Sequence, residues 1–287
     1  MKAPRFAYAR PASVAEALAL LAEHKDEARV LAGGQSLVPM MNFRVAAPKV
    51  IVDINRIEAL AGIKVTRNHI RIGALTRHAE LERSADIARH LPLLAAAMPH
   101  VAHPAIRNRG TFGGSCALGD PAAELPACAL ALGATFIAAG KKGERRIPAQ
   151  DFFKGLYATA LRAGELLLAA EFPLPKPGYA SAFGELARRH GDYAMVGVAA
   201  HGSTQGKKFS DMRVVFFGVA DRPQRAAQLE RALEGRPAAA SAIAAALAGL
   251  DADLSPRADL HGSAATKLHL AKVLAARVLK TMEGVVA

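Results

Sequence analysis

The chain has 287 residues, 52% of them hydrophobic and 5% aromatic, with two cysteines and a formal net charge of +12. Such a length and apolar content support two or three packed units and exclude disorder, and much of the apolar content is alanine in runs too short for a membrane span of about 20 residues. The cations are scattered (Arg107/Arg109, Lys141/Lys142, Arg188/Arg189, Lys207/Lys208) with no nucleic-acid-binding motif around them, so they read as solvated surface or a face for an acidic partner.

The N-terminal MKAPRFAYARP has no signal-peptide core, and a cytoplasmic location is expected by default. SVAEALALLAEH (13–24) predicts a capped amphipathic helix, with Ser13 as N-cap and Glu16 closing a capping box. A short strand, RVL, then stops at Gly33-Gly34 and gives way to Gln35 and Ser36 before the chain turns apolar again. Adjacent glycines admit φ > 0 and close approach. They make either an ordinary tight turn or a nest of N–H groups suited to an anion. KVIVDINRI (49–57) and HIRIGAL (69–75) predict strands, and 81–102 predicts one or two short helices broken near Pro92.

His100 and His103 are followed at once by Pro104, with no third ligand, and read as loop or core residues. A second glycine-rich segment, RNRGTFGGSCALGDPAAELP (107–126), includes DPAAE, which predicts a helix start with Asp120 as N-cap. A helix-to-strand pattern and the strand LLLAAEFPLP (166–175) follow, then PLPKPGYA (173–180), the expected domain boundary. Beyond it lie strands in FGELARR, YAMVGVAAHGS and MRVVFFGVA and three Ala-rich helices, the last at 265–282. Helices and strands mix without a βαβ period, so the fold class is α+β. Cys116 and Cys128 read as buried thiols.

The two glycine segments carry the chemistry. Neither contains G-x-G-x-x-G, and the chain lacks G-x-x-x-x-G-K-[ST] and G-x-S-x-G, so no Rossmann, P-loop or hydrolase motif is present. Two loops of neutral donors and hydroxyls without a lysine suit the diphosphate of a bound cofactor better than phosphoryl transfer.

AGGQSLVPMM, IRNRGTFGGSCALGDPAAELP and FGELARRHGDYAMVG, in that order, resemble the FAD-binding medium subunit of molybdenum hydroxylases, over about residues 3–280. This family includes the flavoprotein subunit of carbon monoxide dehydrogenase and the flavin domain of xanthine dehydrogenase. The resemblance implies a two-subdomain FAD-binding fold of the vanillyl-alcohol-oxidase/PCMH type (1–60 and 61–175) plus a C-terminal α+β domain (176–287). It implies a first loop of Ala32, Gly33, Gly34, Gln35, Ser36 and Leu37 and a second of Thr111, Gly113, Gly114 and Ser115, together holding the FAD pyrophosphate. Glu124 is implied at the ribityl chain or ring edge, and Leu167 and Tyr193 beside the isoalloxazine. The lysine near the flavin in the xanthine dehydrogenase branch falls on Gly184, and the cysteine-rich insertion of the hydroxybenzoyl-CoA reductase branch is absent.

The implied partners are a molybdopterin-containing large subunit and a small subunit with two iron–sulfur clusters, as a dimer of heterotrimers, with electrons leaving to an external acceptor. No catalytic acid, base or metal ligand is expected in this chain. The rival readings are a stand-alone FAD-dependent oxidoreductase, a flavin-free basic scaffold or nucleic-acid-binding protein, and a nucleotide-binding regulator.

Overall fold

The computed structural model describes residues 2–282 and builds them around three main sheets. The first is formed by β1 (Ala7–Ala9), β2 (Ala28–Leu31) and β3 (Val50–Asp53), with α1 (Val14–His24) and α2 (Leu37–Asn42) in the connections. Its order is β1-β3-β2 and both pairings are parallel. The central strand reads Val-Ile-Val-Asp and is buried throughout, the β-branched pattern of a strand covered on both faces. Ser13 caps α1 by accepting from the Glu16 N–H at 3.2 Å, and the Glu16 carboxylate accepts from the Ala12 N–H at 2.9 Å. Ala17 and Leu21 of this helix pack on the sheet.

The second sheet is antiparallel. It begins with β4 (Ile63–Val65) and β5 (His69–Gly73), then waits through six short helices: α3 (His78–Arg83), α4 (Ala85–His90), α5 (Pro92–Ala97), α6 (Pro104–Arg107), α7 (Phe112–Leu118) and α8 (Glu124–Ala131). It resumes with β6 (Thr135–Gly140) and β7 (Gly143–Pro148). After α9 (Ala149–Phe152) and a ribbon of β8 (Phe153–Gly155) and β9 (Ala158–Thr159), it closes with β10 (Leu166–Pro173), giving the order β4-β5-β10-β6-β7. The region 81–102 holds more helices than its sequence predicts. Ser84 restarts the helix by accepting from the Ile87 N–H at 3.2 Å, and Pro92 opens α5, where a missing N–H costs nothing.

The third sheet, β11 (Tyr179–Leu186), β12 (Val196–Ser203), β13 (Ser210–Phe217) and β14 (Gln224–Arg225), is antiparallel in sequence order. Val214 and Phe216 face the core that holds α10 (Ala227–Leu233), α11 (Ala240–Leu247) and α12 (Ala264–Thr281). Val215 and Phe217 face the other way, into the core that contains α5 and α8. Two buried faces explain the unbroken apolar run VVFF. All eight residues of α8 are buried, which wedges this helix between the second and third sheets and fixes the wall on which the site is built. Among the described residues, no helix is long and apolar enough to cross a membrane.

Arg107 anchors the turn before α6. It is 7% exposed, pairs with Glu82 through two bonds of 2.9 and 3.0 Å, and donates from Nη1 to the carbonyls of Val101 (3.0 Å) and Ala102 (2.9 Å). Ala102 has φ = 47°, a left-handed conformation that only its surroundings can hold. Glu82 is exposed, so removing Arg107 strands no buried charge; it leaves the Val101 and Ala102 carbonyls without their donor, at a cost of about 1–3 kcal/mol. Denaturant unfolding of the flavin-free chain should therefore show a loss of that order for Arg107→Met; a loss below about 1 kcal/mol would mean that the turn is held by other contacts.

Candidate functional site

The first glycine segment leaves β2 and enters α2. Gly34 has φ = 73°, which glycine adopts without strain. The bend turns a row of main-chain donors outward: among the described residues, the N–H groups of Gly33, Gly34, Gln35, Ser36 and Leu37 donate to no protein acceptor. Gln35 folds its amide back to the Gly33 carbonyl at 3.1 Å, and Ser36 does not use its hydroxyl to cap α2.

The second segment is a helix start rather than a loop. Thr111 is the N-cap of α7, its hydroxyl accepting from the Gly114 N–H at 3.1 Å. The amides that follow are also taken: Phe112 donates to Thr76 O (2.9 Å), Gly113 to Ala74 O (2.8 Å) and Ser115 to Thr111 O (3.1 Å). The two segments are thus unequal, one offering free amides and the other a rigid wall with the Thr111 and Ser115 side chains.

They touch through bare backbone. A Cβ on Gly33 would overlap the Arg109 carbonyl oxygen and lie 2.9 Å from Gly110 Cα, and one on Gly113 would overlap Ala74. These two glycines are required by protein packing. Gly114 is different: its Cβ would meet only the Thr111 hydroxyl, at 2.7 Å, with Ala32 4.0 Å away across the gap between the segments. A polar clamp holds the contact from behind. Asn55 donates to the Ala32 carbonyl at 2.8 Å, while Arg77 donates to Asn55 Oδ1 at 2.7 Å and to the Arg109 carbonyl.

The cleft between these elements has a volume of about 500 Å³, and all thirteen residues expected at the site (Ala32, Gly33, Gly34, Gln35, Ser36, Leu37, Thr111, Gly113, Gly114, Ser115, Glu124, Leu167 and Tyr193) line it. Leu167 reaches it from β10, where the register with β6 shifts by one residue between Leu167 and Ala169, a bulge that brings both Leu166 and Leu167 to the cleft. Tyr193 stands at the mouth, 67% exposed, on the turn between β11 and β12.

Acidic groups gather below it. Glu124 opens α8, and burial, reinforced by the Asp120 charge, pushes its carboxyl up to about 7. Burial and then the Glu124 charge push Glu185, on β11, up to about 8. Burial also raises Asp120. This end of the cleft therefore holds protons at neutral pH that ordinary carboxyls would have released.

Three expectations are corrected. Asp120 does not cap a helix: α8 starts at Glu124, and the Asp120 carboxylate accepts from the Ala122 N–H at 2.9 Å in a turn before it. The segment 112–118 is helical. Position 184, the lysine position of the xanthine dehydrogenase branch, points away from the cleft, since a Cβ there would lie 2.7 Å from Val278 and 3.1 Å from Leu274 of α12. The residue on β11 that couples to Glu124 is Glu185, one position on. Sequence reasoning also missed His78, Val101, Ala102 and Ile106, which line the cleft. They lie in ordinary helix and turn segments with no motif to mark them.

A cleft lined by a row of free amides has the donors that the diphosphate of a dinucleotide calls for. The chain matches the family described as FAD binding domain in molybdopterin dehydrogenase over residues 4–175, and CO dehydrogenase flavoprotein C-terminal domain over residues 181–282. It is 41% identical over 280 residues to the 6-hydroxypseudooxynicotine dehydrogenase complex subunit alpha of Paenarthrobacter nicotinovorans, covering 97% of this chain and 95% of the relative. Its structure matches the carbon monoxide dehydrogenase of Hydrogenophaga pseudoflava with a TM-score of 0.95 at 39% identity, over 97% of each chain. It also matches quinoline 2-oxidoreductase from Pseudomonas putida 86 with a TM-score of 0.93 at 39% identity, over 99% of this chain and 98% of that one.

The chain belongs to the FAD-binding medium subunits of the molybdenum hydroxylases, a family of oxidoreductases, and its cofactor is FAD. The geometry suits that cofactor. A diphosphate presents only acceptor oxygens, which complement the free donors at Gly33–Leu37 and would find no use for the occupied amides at Phe112–Ser115.

The raised Glu124 carboxyl sets a pH dependence. The folded state holds this proton more tightly than the unfolded chain, so the protein is most stable below about pH 4.5 with respect to this group and loses stability as pH rises to about 7. Glu124→Gln lacks the charge. Thermal and denaturant unfolding of the flavin-free chain should show the variant more stable than wild type at pH 8, by on the order of 3 kcal/mol, and equal to it near pH 4. A variant less stable than wild type at pH 8 would contradict the assignment.

Proposed function

We propose that this chain is the electron-transfer subunit of a molybdenum hydroxylase complex, passing electrons from the iron–sulfur clusters of a small partner subunit to an external acceptor. A molybdopterin-containing large subunit would oxidise the substrate, and the assembly would be a dimer of heterotrimers. The observation that carries this reading is the row of five unbonded amides at Gly33–Leu37, on residues that line one cleft together with the second glycine segment. Bound FAD supplies the redox chemistry, taking up electrons from one carrier and giving them to another.

The residues of this chain bind and orient. The amides of Gly33–Leu37 would hold the diphosphate, with Ser36, Thr111 and Ser115 beside it. Ala32, Gly34 and Gly114 keep that surface free of bulk. Leu167 and Tyr193 would flank the flavin ring, and Glu124 would bond to the ribityl chain or ring edge. We assign residues 1–60 and 61–175 to the two halves of a vanillyl-alcohol-oxidase/PCMH-type FAD fold and 176–287 to the C-terminal flavoprotein domain, in a cytoplasmic complex.

Relatives at 39–41% identity are named for a nicotine-derived compound, carbon monoxide and quinoline, three chemically unlike substrates. Those named for carbon monoxide and quinoline share this chain's fold with TM-scores of 0.95 and 0.93, which supports placing the choice of substrate in another subunit.

The test is to purify the chain with its co-encoded subunits. One FAD per chain is expected, bleached by the complex's substrate only when the iron–sulfur subunit is present. A chain that reduces its own flavin with a small substrate, in the absence of the other subunits, would be a stand-alone oxidoreductase and would contradict the proposal.

A further inference from the structure

Lys267 is 3% exposed, the one buried lysine among the described residues, and it lies outside the cleft lining. A charged group taken out of water is costly unless its partners are well placed, and a methionine in its position would avoid that cost. Lys267 stands in the first turn of α12, and its Nζ donates to two acceptors. One is the exposed Asp259 carboxylate in the loop before the helix; the other is the Gly218 carbonyl, at 2.9 Å.

Gly218 is where the elements around the cleft meet. It follows β13 and has φ = 75°, in the left-handed region. Its N–H donates to the Pro121 carbonyl at 2.8 Å, in the turn between Asp120 and Glu124. A Cβ on it would lie 2.7 Å from the Ala194 carbonyl oxygen and 3.0 Å from that of Met195, so its backbone rests on the two residues that follow Tyr193. Asp120, Glu124 and Tyr193 all line the cleft. Gly218 thus fastens two cleft-lining turns to each other, and Lys267 is the side chain that fastens Gly218.

We infer that Lys267 is a positioning residue for the flavin end of the cleft, acting through Gly218 to fix the Asp120–Glu124 turn against the Tyr193 turn. Without it the Gly218 carbonyl loses its donor, and a glycine peptide held from one side only is free to rotate. The groups that flank the ring then lose their alignment, while the amide row at Gly33–Leu37, between β2 and α2, keeps its own. The inference rests on the reading that the diphosphate lies on that row and the flavin ring beside Glu124 and Tyr193.

The experiment uses the full-length chain, titrated with FAD and with ADP, and reads the fluorescence of bound flavin, which an adjacent tyrosine quenches by donating an electron to the excited ring. Lys267→Met should bind FAD about tenfold more weakly, hold ADP within about twofold of wild type, and lose part of the quenching. Leu279→Ala is the control for a loosened helix: it opens the core about 18 Å further along α12, so it should lower the melting temperature and leave both flavin signals at wild type. Gly218→Ala enters the same junction from its other side and should reproduce the Lys267→Met signals; it decides the matter if Lys267→Met does not fold. Unchanged quenching in the lysine variant overturns the inference, as does a loss of ADP affinity equal to that of FAD, or a Leu279→Ala chain with the same flavin signals. Tyr193→Leu separates the two readings. If it removes quenching and Lys267→Met does not, only the positioning role fails; if it leaves quenching unchanged, the placement of the ring fails and the positioning role with it.

Discussion

The site depends on one contact between bare backbones: Gly33 against the Arg109 carbonyl and Gly110. No side chain fits between them. This contact holds the first segment against the second, and the N–H groups of Gly33–Leu37, on residues that line the cleft, are left without protein acceptors. Asn55 and Arg77 hold the same contact from the opposite side by bonding to carbonyls of both segments. The clamp takes the carbonyls and leaves the amides.

The rest of the fold serves to place other chemistry around that contact. The bulge in β10 brings Leu167 to the cleft, α8 carries Glu124 to its floor, and the turn between β11 and β12 sets Tyr193 at its mouth. The third sheet does more than cap the molecule. It packs one face on α5 and α8, and from that face Glu185 adds to the proton-holding end of the cleft near Glu124. Binding and electrostatics are thus shared between parts of the chain that are distant in sequence.

Much of this was legible in the residues. The capping box at Ser13, the strands at 50–53 and 69–73, and the switch from α8 to β6 all follow from local pattern, because cap chemistry and periodicity act over a few residues. The two glycine segments announced themselves as unusual, and their resemblance to a family supplied the ligand. Local pattern could not say what each glycine was for. Gly33 and Gly113 make room for Arg109 and Ala74, contacts set by tertiary packing, while Gly34 and Gly114 shape the open surface. Nor could it find Val101, Ala102 and Ile106, which line the cleft from turn and helix segments that no motif marks. Asp120 was misjudged for a related reason: a proline after an aspartate starts a helix in isolation, but here the chain must first turn before α8 can enter the core.

The central claim is that the first segment's amides are held open for the cofactor and the second segment's are not. Amide hydrogen exchange of the full chain, with and without FAD, measures this residue by residue. Gly33–Leu37 should exchange fast in the flavin-free protein and slow markedly on binding, while Phe112–Ser115 should be slow in both states. Protection at 33–37 that is already present without FAD, or that does not change when FAD binds, would contradict it.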